Sequence, residues 1–275
     1  LKFRIVWSLI QKNTKDHKKT HKSHSVYDTT VKIQFPIIAS GAGGHPTLGK
    51  QLEKLAKHFN DCLSPKYRVI EKVRLVSDRY NLPSSLKTAT ELKGEEPDPL
   101  YYRITDSTQI AKVNMRRLLS HSNTKMELTV YLAQKSMEYA VQNGRRFVVS
   151  WACQCEATHQ KTEHLQSHQE EADTKLILHP LDATANGAST LKIHSPDTDV
   201  FVLSTYFVTG TGQRRRSISL MPIFQSLGAA KAPASPAFHA LSGADNTGSF
   251  SGKGKLACWK VFNRADVDVI TDRKS

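Results

Sequence analysis

The sequence predicts an α/β fold in which helices flank a mostly parallel central sheet. Apolar runs of strand length, rich in Val, Ile and Phe, alternate along the chain with segments of helical periodicity. This is the order that consecutive strand–helix–strand units produce. The chain has 275 residues, of which 39% are hydrophobic, so it can bury one full core with a small appendage. We find no internal repeat.

After a turn-rich break at Gly41–Pro46, the first half of the chain predicts three helices and one strand. Apolar residues recur three and four positions apart in the first helix, whereas the strand is a nearly continuous β-branched run. A capping-box pattern at Thr124–Glu127 opens the last helix. Prolines make residues 81–108 an irregular excursion. The predicted elements are a helix at Leu48–Leu63, a strand at Tyr67–Val76, and helices at Ile110–Leu119 and Lys125–Val141.

The second half of the chain predicts shorter elements. The run Phe147–Val149 indicates a strand, and Pro180 is expected to end the helix that follows it. The residues between that strand and helix predict a polar loop. The predicted elements are a strand at Arg145–Trp151, a helix at Glu170–His179, a strand at Leu191–His194, a hairpin of Phe207–Gly210 with Ser217–Leu220, helical pieces at Pro222–Leu227 and Ala237–Leu241, and a final helix at Lys253–Phe262.

The charge of the chain points to a polyanionic partner. Lys and Arg number 39 against 25 Asp and Glu, which gives a formal net charge of +14. Basic side chains release counterions when they bind phosphates, so we expect a nucleic acid. No apolar run approaches the roughly 20 residues of a membrane span. The four cysteines lack the spacing of a disulfide framework, which favours an intracellular location, the nucleus ahead of the cytoplasm.

Three acidic motifs stand out against this basic background. Glu170, Glu171 and Asp173 lie at the start of a predicted helix, where the helix dipole favours negative charge. Asp197 and Asp199 follow a predicted strand, and an i, i+2 pair in extended conformation points both carboxylates to one side. Asp245 lies in a glycine-rich segment. The carboxyl ends of parallel strands are where α/β sheets place their ligands, so we expect the motifs to converge on Mg²⁺ or Mn²⁺, with two ions able to bind.

The order of these motifs, written HQEEADTKLILH, HSPDTDVFVL and FHALSGADNTGSF, resembles the flap-endonuclease branch of the PIN-like nucleases. More closely, it resembles a PIN-like family scattered through animal genomes that has mobile-element character. The resemblance covers about residues 67–265 and implies a PIN-like sheet and metal-dependent hydrolysis of phosphodiester bonds. It also implies that five acids are catalytic metal ligands and that Glu170 is a substitute ligand. The five are Glu171, Asp173, Asp197, Asp199 and Asp245.

Two shorter segments extend the resemblance. The segment 76–87 is similar to the region of flap endonucleases that carries a metal-site acid and the start of the arch over the scissile phosphate. That similarity implies metal binding by Asp78 and phosphate contacts by Lys87 and Lys93. Residues 250–255 resemble the glycine turn of a helix–turn–helix that grips a DNA backbone. Glycines admit a phosphate closely and lysines add charge, so the predicted contacts are Gly252, Lys253, Gly254 and Lys255.

These similarities divide the chain into a basic flexible segment at residues 1–30, a nuclease domain at 31–265 and a tail at 266–275. Within the domain, 81–108 form the arch-like excursion and 241–265 the helix–turn–helix element. The predicted function is metal-dependent cleavage of structured nucleic acid, DNA ahead of RNA, by a two-metal mechanism. The oligomeric state stays open.

Two departures favour an alternative, a catalytically decayed protein that still binds nucleic acid. The superfamily carries another aspartate at the end of its first strand, but Val31–Gly44 contains none and Asp28 lies before the apolar run. The helix after the second acidic motif also looks trimmed at Ser204–Tyr206. A second alternative is a structural zinc, because Cys and His are its usual ligands. Its candidates would be Cys153, Cys155, His159, His164 and His168. We expect three further histidines to be packed or surface residues rather than ligands, namely His179, His194 and His239.

Overall fold

The computed structural model describes residues 3–9, 52–63, 72–80, 82, 85, 100–109, 115–188, 190–195, 198–207, 220–244 and 247–265. This part of the chain is a mixed α/β structure with one five-stranded sheet, which confirms the predicted class. The strands are β1 at Phe3–Leu9, β2 at Lys72–Ser77, β3 at Arg146–Trp151, β4 at Gln154–Ala157 and β5 at Thr190–His194. Their order across the sheet is β4-β3-β2-β1-β5.

The sheet is mixed, so the prediction of a mostly parallel sheet is wrong for the described strands. β2 and β3 are parallel, whereas β1 runs against both β2 and β5, and β4 runs against β3. The difference arises because β1 enters the middle of the sheet from residues 3–9, which the sequence analysis assigned to a flexible segment. The apolar run at 31–44, expected to supply the first strand, lies outside the described residues.

Three strand ends nevertheless share one edge of the sheet. Since β1 is antiparallel to both of its neighbours, β2 and β5 point in the same direction, and β3 is parallel to β2. The register places Phe3 opposite Ser77 and Ile5 opposite His194. The carboxyl ends of β2, β3 and β5 therefore lie close together, while β1 presents its amino end there. Asp78 follows directly after β2 on this side of the sheet, and Ser195, which precedes the second acidic motif, follows directly after β5. We call this side of the sheet the acid edge.

Eight α-helices are described, together with a short 3₁₀ helix at Glu163–Leu165. The seventh contains a break at Gly228, whose φ of 75° and ψ of 169° suit glycine alone. The helices are α1 at Leu52–Leu63, α2 at Met115–Leu118, α3 at Ser122–Gln142, α4 at Ala172–Leu176, α5 at Leu178–Ala185, α6 at Thr198–Phe207, α7 at Leu220–Leu241 and α8 at Lys255–Arg264.

The helices cover both faces of the sheet. On one face, α1 and α3 pack on Val73, Leu75, Phe147 and Val149, whose side chains alternate along β2 and β3 as strand geometry requires. On the other face, α4 and α6 pack around β5 through a smaller cluster. Its buried members are Leu176, Ile177 and Val200. The sheet is thus held between two layers of helices.

A buried polar layer lies between β2 and α5. The side chain of Arg74 is fully buried, and its Nη2 lies 2.6 Å from Oδ2 of Asp182. His164 contacts the other oxygen of Asp182 at 2.6 Å. His179, also fully buried, lies with Nε2 3.0 Å from the hydroxyl of Ser150. The prediction of a packed His179 is confirmed, and burial followed by the charge of Arg74 lowers its pKa to about 3.

Helix boundaries differ from the predictions where side chains have a tertiary role. α3 begins with His121 as its N-cap, whose Nδ1 accepts from the N–H of Asn123. The expected capping box at 124–127 is therefore wrong. Thr124 accepts instead from the N–H of Tyr102, and Glu127 accepts from the N–H of Ile104. These bonds hold residues 100–108 against the start of α3.

Three further differences concern the second half of the chain. The helix predicted over 170–179 breaks at Ile177, and Pro180 lies in the first turn of α5, where a missing N–H costs little. Phe207, expected to open a hairpin, is instead the last residue of α6. The helix expected to be trimmed at Ser204–Tyr206 is ten residues long, and Thr198 and Asp199 are helical rather than extended. The predicted polar loop after β3 contains β4 and the 3₁₀ helix.

Candidate metal centre

Asp78 connects the end of β2 to the first acidic motif. It follows directly after the strand and is only 2% exposed. Its Oδ1 accepts a 2.7 Å hydrogen bond from the N–H of Ala172, the first residue of α4, and its Oδ2 accepts from the hydroxyl of Tyr80 at 3.3 Å. The first N–H groups of a helix lack partners within the helix, so a carboxylate placed there is favourable.

The residues of the first acidic motif lie beside Asp78. The N–H of Arg79 donates to the carbonyl of Glu170 at 2.8 Å, which pairs the two segments directly. Glu170 and Asp173 are buried, and Oε1 of Glu170 accepts from the hydroxyl of Ser85. Glu171 is the N-cap residue of α4 and is partly exposed. The structure thus brings Asp78 and all three acids of this motif to the acid edge.

Lys175, which the sequence analysis did not single out, is also buried at this edge. It is 2% exposed, and its Nζ donates to the carbonyls of Ser77 at 3.1 Å and Ala152 at 2.8 Å. These carbonyls lie where β2 and β3 end, so Lys175 ties the two strand ends together. A buried ammonium needs hydrogen-bond acceptors, and these two carbonyls provide them. The signal in the sequence is a lysine inside the otherwise apolar segment that follows Asp173.

Asp199 of the second motif contacts the helix that leads to the third. Its Oδ1 lies 2.7 Å from Nε2 of His239, near the end of α7. Helices α6 and α7 pack closely against each other, and His239 is buried between them. The second and third acidic motifs are therefore joined through an imidazole. His239 is a packed residue, as predicted. Its contact with Asp199 was not predicted from the sequence.

Asp197 and Asp245 lie outside the described residues. Asp197 follows two residues after Ser195, at the end of β5. Among the described residues on either side of Asp245, the hydroxyl of Thr247 donates to the carbonyl of Ala240 at 2.6 Å and accepts from the N–H of Ala244 at 2.8 Å. Gly243 has a φ of 106°, which favours glycine at this turn.

The donors at the acid edge match a hard divalent cation in kind, since Mg²⁺ and Mn²⁺ prefer carboxylate oxygens. Within the described residues, however, no three Asp, Glu, His or Cys side chains form a group that could hold a metal ion. Two of the five predicted catalytic acids, Asp197 and Asp245, lie outside the described residues. Two groups of contacts involve the described acids of these motifs. One joins Asp78 to the start of α4, and the other joins Asp199 to His239.

The residues proposed for a structural zinc are dispersed rather than gathered. Cys155 is buried in a small apolar cluster with Val148 and Leu165, and this burial raises the pKa of its thiol. His164 contacts Asp182, while Sγ of Cys153 lies 3.4 Å from Nδ1 of His168. A four-ligand zinc site needs its ligands around one point. That alternative is therefore not supported.

The predicted glycine turn joins α7 to α8. Gly252 has a φ of 68°, Gly254 is the N-cap residue of α8, and Lys253 is exposed. Nζ of Lys255 donates to the carbonyl of Gly243 at 2.8 Å, so this lysine ties the turn to the segment of the third acidic motif. The rings of Phe238, Trp259 and Phe262 pack α8 on α7. Lys87 and Lys93 lie outside the described residues.

Comparison of the chain with protein-family models, with curated proteins and with solved structures gives no match. In the parts of the chain that the structure describes, no helix has the length and apolar character to cross a membrane. We therefore infer function from the residues at the acid edge.

Proposed function

We propose that this chain is a divalent-metal-dependent nuclease that hydrolyses phosphodiester bonds of structured nucleic acid. The observation that carries the proposal is the 2.7 Å hydrogen bond between Asp78 and Ala172. It joins the end of β2 to the first acidic motif at an edge where β3 and β5 also end. Acids from separate parts of the chain thus meet at one edge of a basic protein.

The proposed ligands are Asp78, Glu171, Asp173, Asp197, Asp199 and Asp245, with Glu170 as a substitute. When bound there, Mg²⁺ or Mn²⁺ would supply an activated water and neutralise charge on the phosphate. The chain's own residues would bring the substrate to them. Lys253 and the glycine turn would bind the sugar–phosphate backbone, which gives affinity without base recognition.

The proposed test is cleavage of end-labelled flap, hairpin and single-stranded substrates, made as DNA and as RNA, with Mg²⁺, with Mn²⁺ and with a chelator. We expect metal-dependent products from the structured DNA. Asp173→Asn should abolish them, whereas Asp61→Asn, which removes an exposed acid from α1, should not. Equal products from the wild type and Asp173→Asn would reject the proposal. Preferential cleavage of RNA would change the substrate but keep the reaction.

A second candidate is a protein that binds nucleic acid through the same edge without cleaving it. Two observations favour it. β1 presents its amino end at the acid edge, so its carboxyl end brings no acid there. Lys175 already places a positive charge at the carbonyl of Ser77, the residue before Asp78. In that case the substrates would bind in a salt-dependent manner and remain intact with either metal.

A further inference from the structure

His239 is placed to act on the candidate centre without touching substrate. Its Nε2 lies 2.7 Å from Oδ1 of Asp199. An ionised carboxylate can only accept hydrogen bonds, so the imidazole must be the donor in this contact. The bond therefore fixes one oxygen of Asp199 and the direction of its carboxyl plane.

The burial of the two side chains differs in a way that suits positioning. The side chain of His239 is 11% exposed and that of Asp199 is 32% exposed. The imidazole is held within the packing of α6 on α7, whereas the carboxylate projects from the first turn of α6 with about a third of its surface open. The buried imidazole of His239 thus donates to a carboxylate of Asp199 that solvent can reach.

The surroundings of His239 are themselves ordered by hydrogen bonds. The hydroxyl of Ser242 donates to the carbonyl of His239 at 3.4 Å, and the N–H of Ser242 donates to the carbonyl of Phe238 at 2.9 Å. Further along the chain, Thr247 donates to the carbonyl of Ala240 on α7, and Lys255 donates to the carbonyl of Gly243. His239 therefore links Asp199 to the end of α7, where the described part of the third acidic motif lies.

We infer that His239 is a positioning residue that holds the Asp199 carboxylate ready for a divalent cation. The inference rests on the proposed function. Carboxylates that ligate metals are commonly hydrogen-bonded by a second residue, and removal of that residue typically weakens metal binding by about 10–100-fold. A purely structural contact between α6 and α7 would change stability but leave cation affinity alone.

The test compares two substitutions that differ in where they place an N–H. In His239→Gln the side-chain amide reaches about as far as Nε2 of histidine, whereas in His239→Asn it reaches only as far as Nδ1. Mn²⁺ binding to the full chain is measured by isothermal titration calorimetry without nucleic acid. We expect His239→Gln to bind close to the wild type and His239→Asn to bind about 10–100-fold more weakly.

A matched control is available on the same helix. Ser235, one turn before His239, is buried, and its hydroxyl donates to the carbonyl of Ala232 at 2.7 Å. Ser235→Ala should lower the melting temperature slightly and keep the wild-type Mn²⁺ affinity. Equal affinities in the wild type, His239→Gln and His239→Asn would overturn the inference. An equal loss in the two variants would also overturn it, because the hydrogen bond would then not be what matters.

Mn²⁺ binding distinguishes a wrong function from a wrong role for His239. If the wild type gives no Mn²⁺ binding, the proposed function is wrong, and the inference falls with it. If the wild type binds Mn²⁺ and Asp199→Asn binds it equally well, the cation lies elsewhere. That result overturns the positioning role of His239 alone.

Discussion

Asp78 caps a helix that begins 94 residues later in the chain, since its Oδ1 accepts a 2.7 Å hydrogen bond from the N–H of Ala172. The resemblance implied that the same carboxylate binds a metal ion. Its position is therefore fixed by the fold before any cation binds. Charge and hydrogen bonding can be separated at this residue, because asparagine keeps an acceptor oxygen while it removes the charge.

We predict that Asp78→Asn folds with little loss of stability, whereas Asp78→Ala leaves a buried N–H without its acceptor and costs about 1–3 kcal/mol. In the wild type, Mn²⁺ should raise the melting temperature by binding the native state, with about 2.7 kcal/mol of stabilisation at 100 times the dissociation constant. Both variants, and Asp197→Asn, should lose that increase. Chemical denaturation measures the loss of stability, and thermal melts with and without Mn²⁺ measure the stabilisation by metal. Identical melts for the metal-free and metal-loaded wild type would contradict the prediction.

How much of this arrangement the sequence could predict depends on how local each signal is. β2, β3 and β5 and the long α3 were predictable because each has its own apolar run or period. β1 was not, since its place between β2 and β5 depends on pairing with residues about 70 and 190 positions away. The polar β4 likewise follows from its neighbour β3 rather than from its own sequence.

The candidate site shows the same division. The acids at 170–173 were predictable from composition and order, and the structure places them beside Asp78. The short apolar run at 200–203 fits either a strand or a helix, so periodicity could not show that Asp199 lies on α6. Its contact with His239 and the burial of Lys175 depend on tertiary packing, which no local pattern encodes.

His179 should make the stability of the protein sensitive to mild acid. Burial, followed by the charge of Arg74, lowers its pKa to about 3 in the folded state, against an ordinary histidine value of about 6.5 in the unfolded chain. Between those pH values the unfolded state binds the extra proton. The free energy of unfolding should therefore fall as the pH decreases from about 6.5 towards 3.

The variant His179→Gln keeps a group that can bond the hydroxyl of Ser150 but does not titrate. We expect it to be less stable at pH 7 and to lose less stability than the wild type as the pH falls to 4. Urea denaturation at half-unit pH intervals measures the slope. A control is Ser235→Ala, which removes a buried hydroxyl that does not titrate in this range and should retain the wild-type slope. Parallel curves for the wild type and His179→Gln would contradict the prediction.

Asp182 should contribute in a lower pH range. Burial opposes its ionisation, but the contacts with His164 and Arg74 outweigh burial and lower the pKa of the carboxyl. Its stabilising contribution is fully present above the ordinary aspartate pKa of about 3.9 and is lost as the pH falls through the lowered folded value. At neutral pH, Asp182→Ala leaves Arg74 buried without its counter-ion.

We expect Asp182→Ala to cost about 3–5 kcal/mol of unfolding free energy at pH 7, the range for breaking a buried ion pair. The double variant Arg74→Met/Asp182→Leu should recover much of that loss, because it removes both charges and fills the space. Guanidinium denaturation of the single and double variants gives the comparison. A double variant less stable than Asp182→Ala would show that the pair contributes more than charge compensation.

The two lysines of the glycine turn should behave differently, because their surroundings differ. Lys253 is exposed, whereas Nζ of Lys255 donates to the carbonyl of Gly243 at 2.8 Å. If the turn binds a phosphate backbone, Lys253→Ala should weaken binding of flap and hairpin DNA alike, whatever their sequence. The slope of log affinity against log salt should become shallower by about one unit. The melting temperature of Lys253→Ala should equal that of the wild type.

Lys255→Ala should weaken nucleic-acid binding and also loosen the segment that carries Asp245, so it should reduce Mn²⁺ affinity where Lys253→Ala does not. Fluorescence anisotropy at several salt concentrations measures the first effect, and calorimetric titration with Mn²⁺ measures the second. Lys54→Ala, which removes an exposed lysine from α1, is the matched control and should leave both unchanged. A change of base preference in Lys253→Ala would be incompatible with backbone binding, because phosphates carry no sequence information. Equal Mn²⁺ affinities in the two lysine variants would show that the bond to Gly243 does not order the third acidic motif.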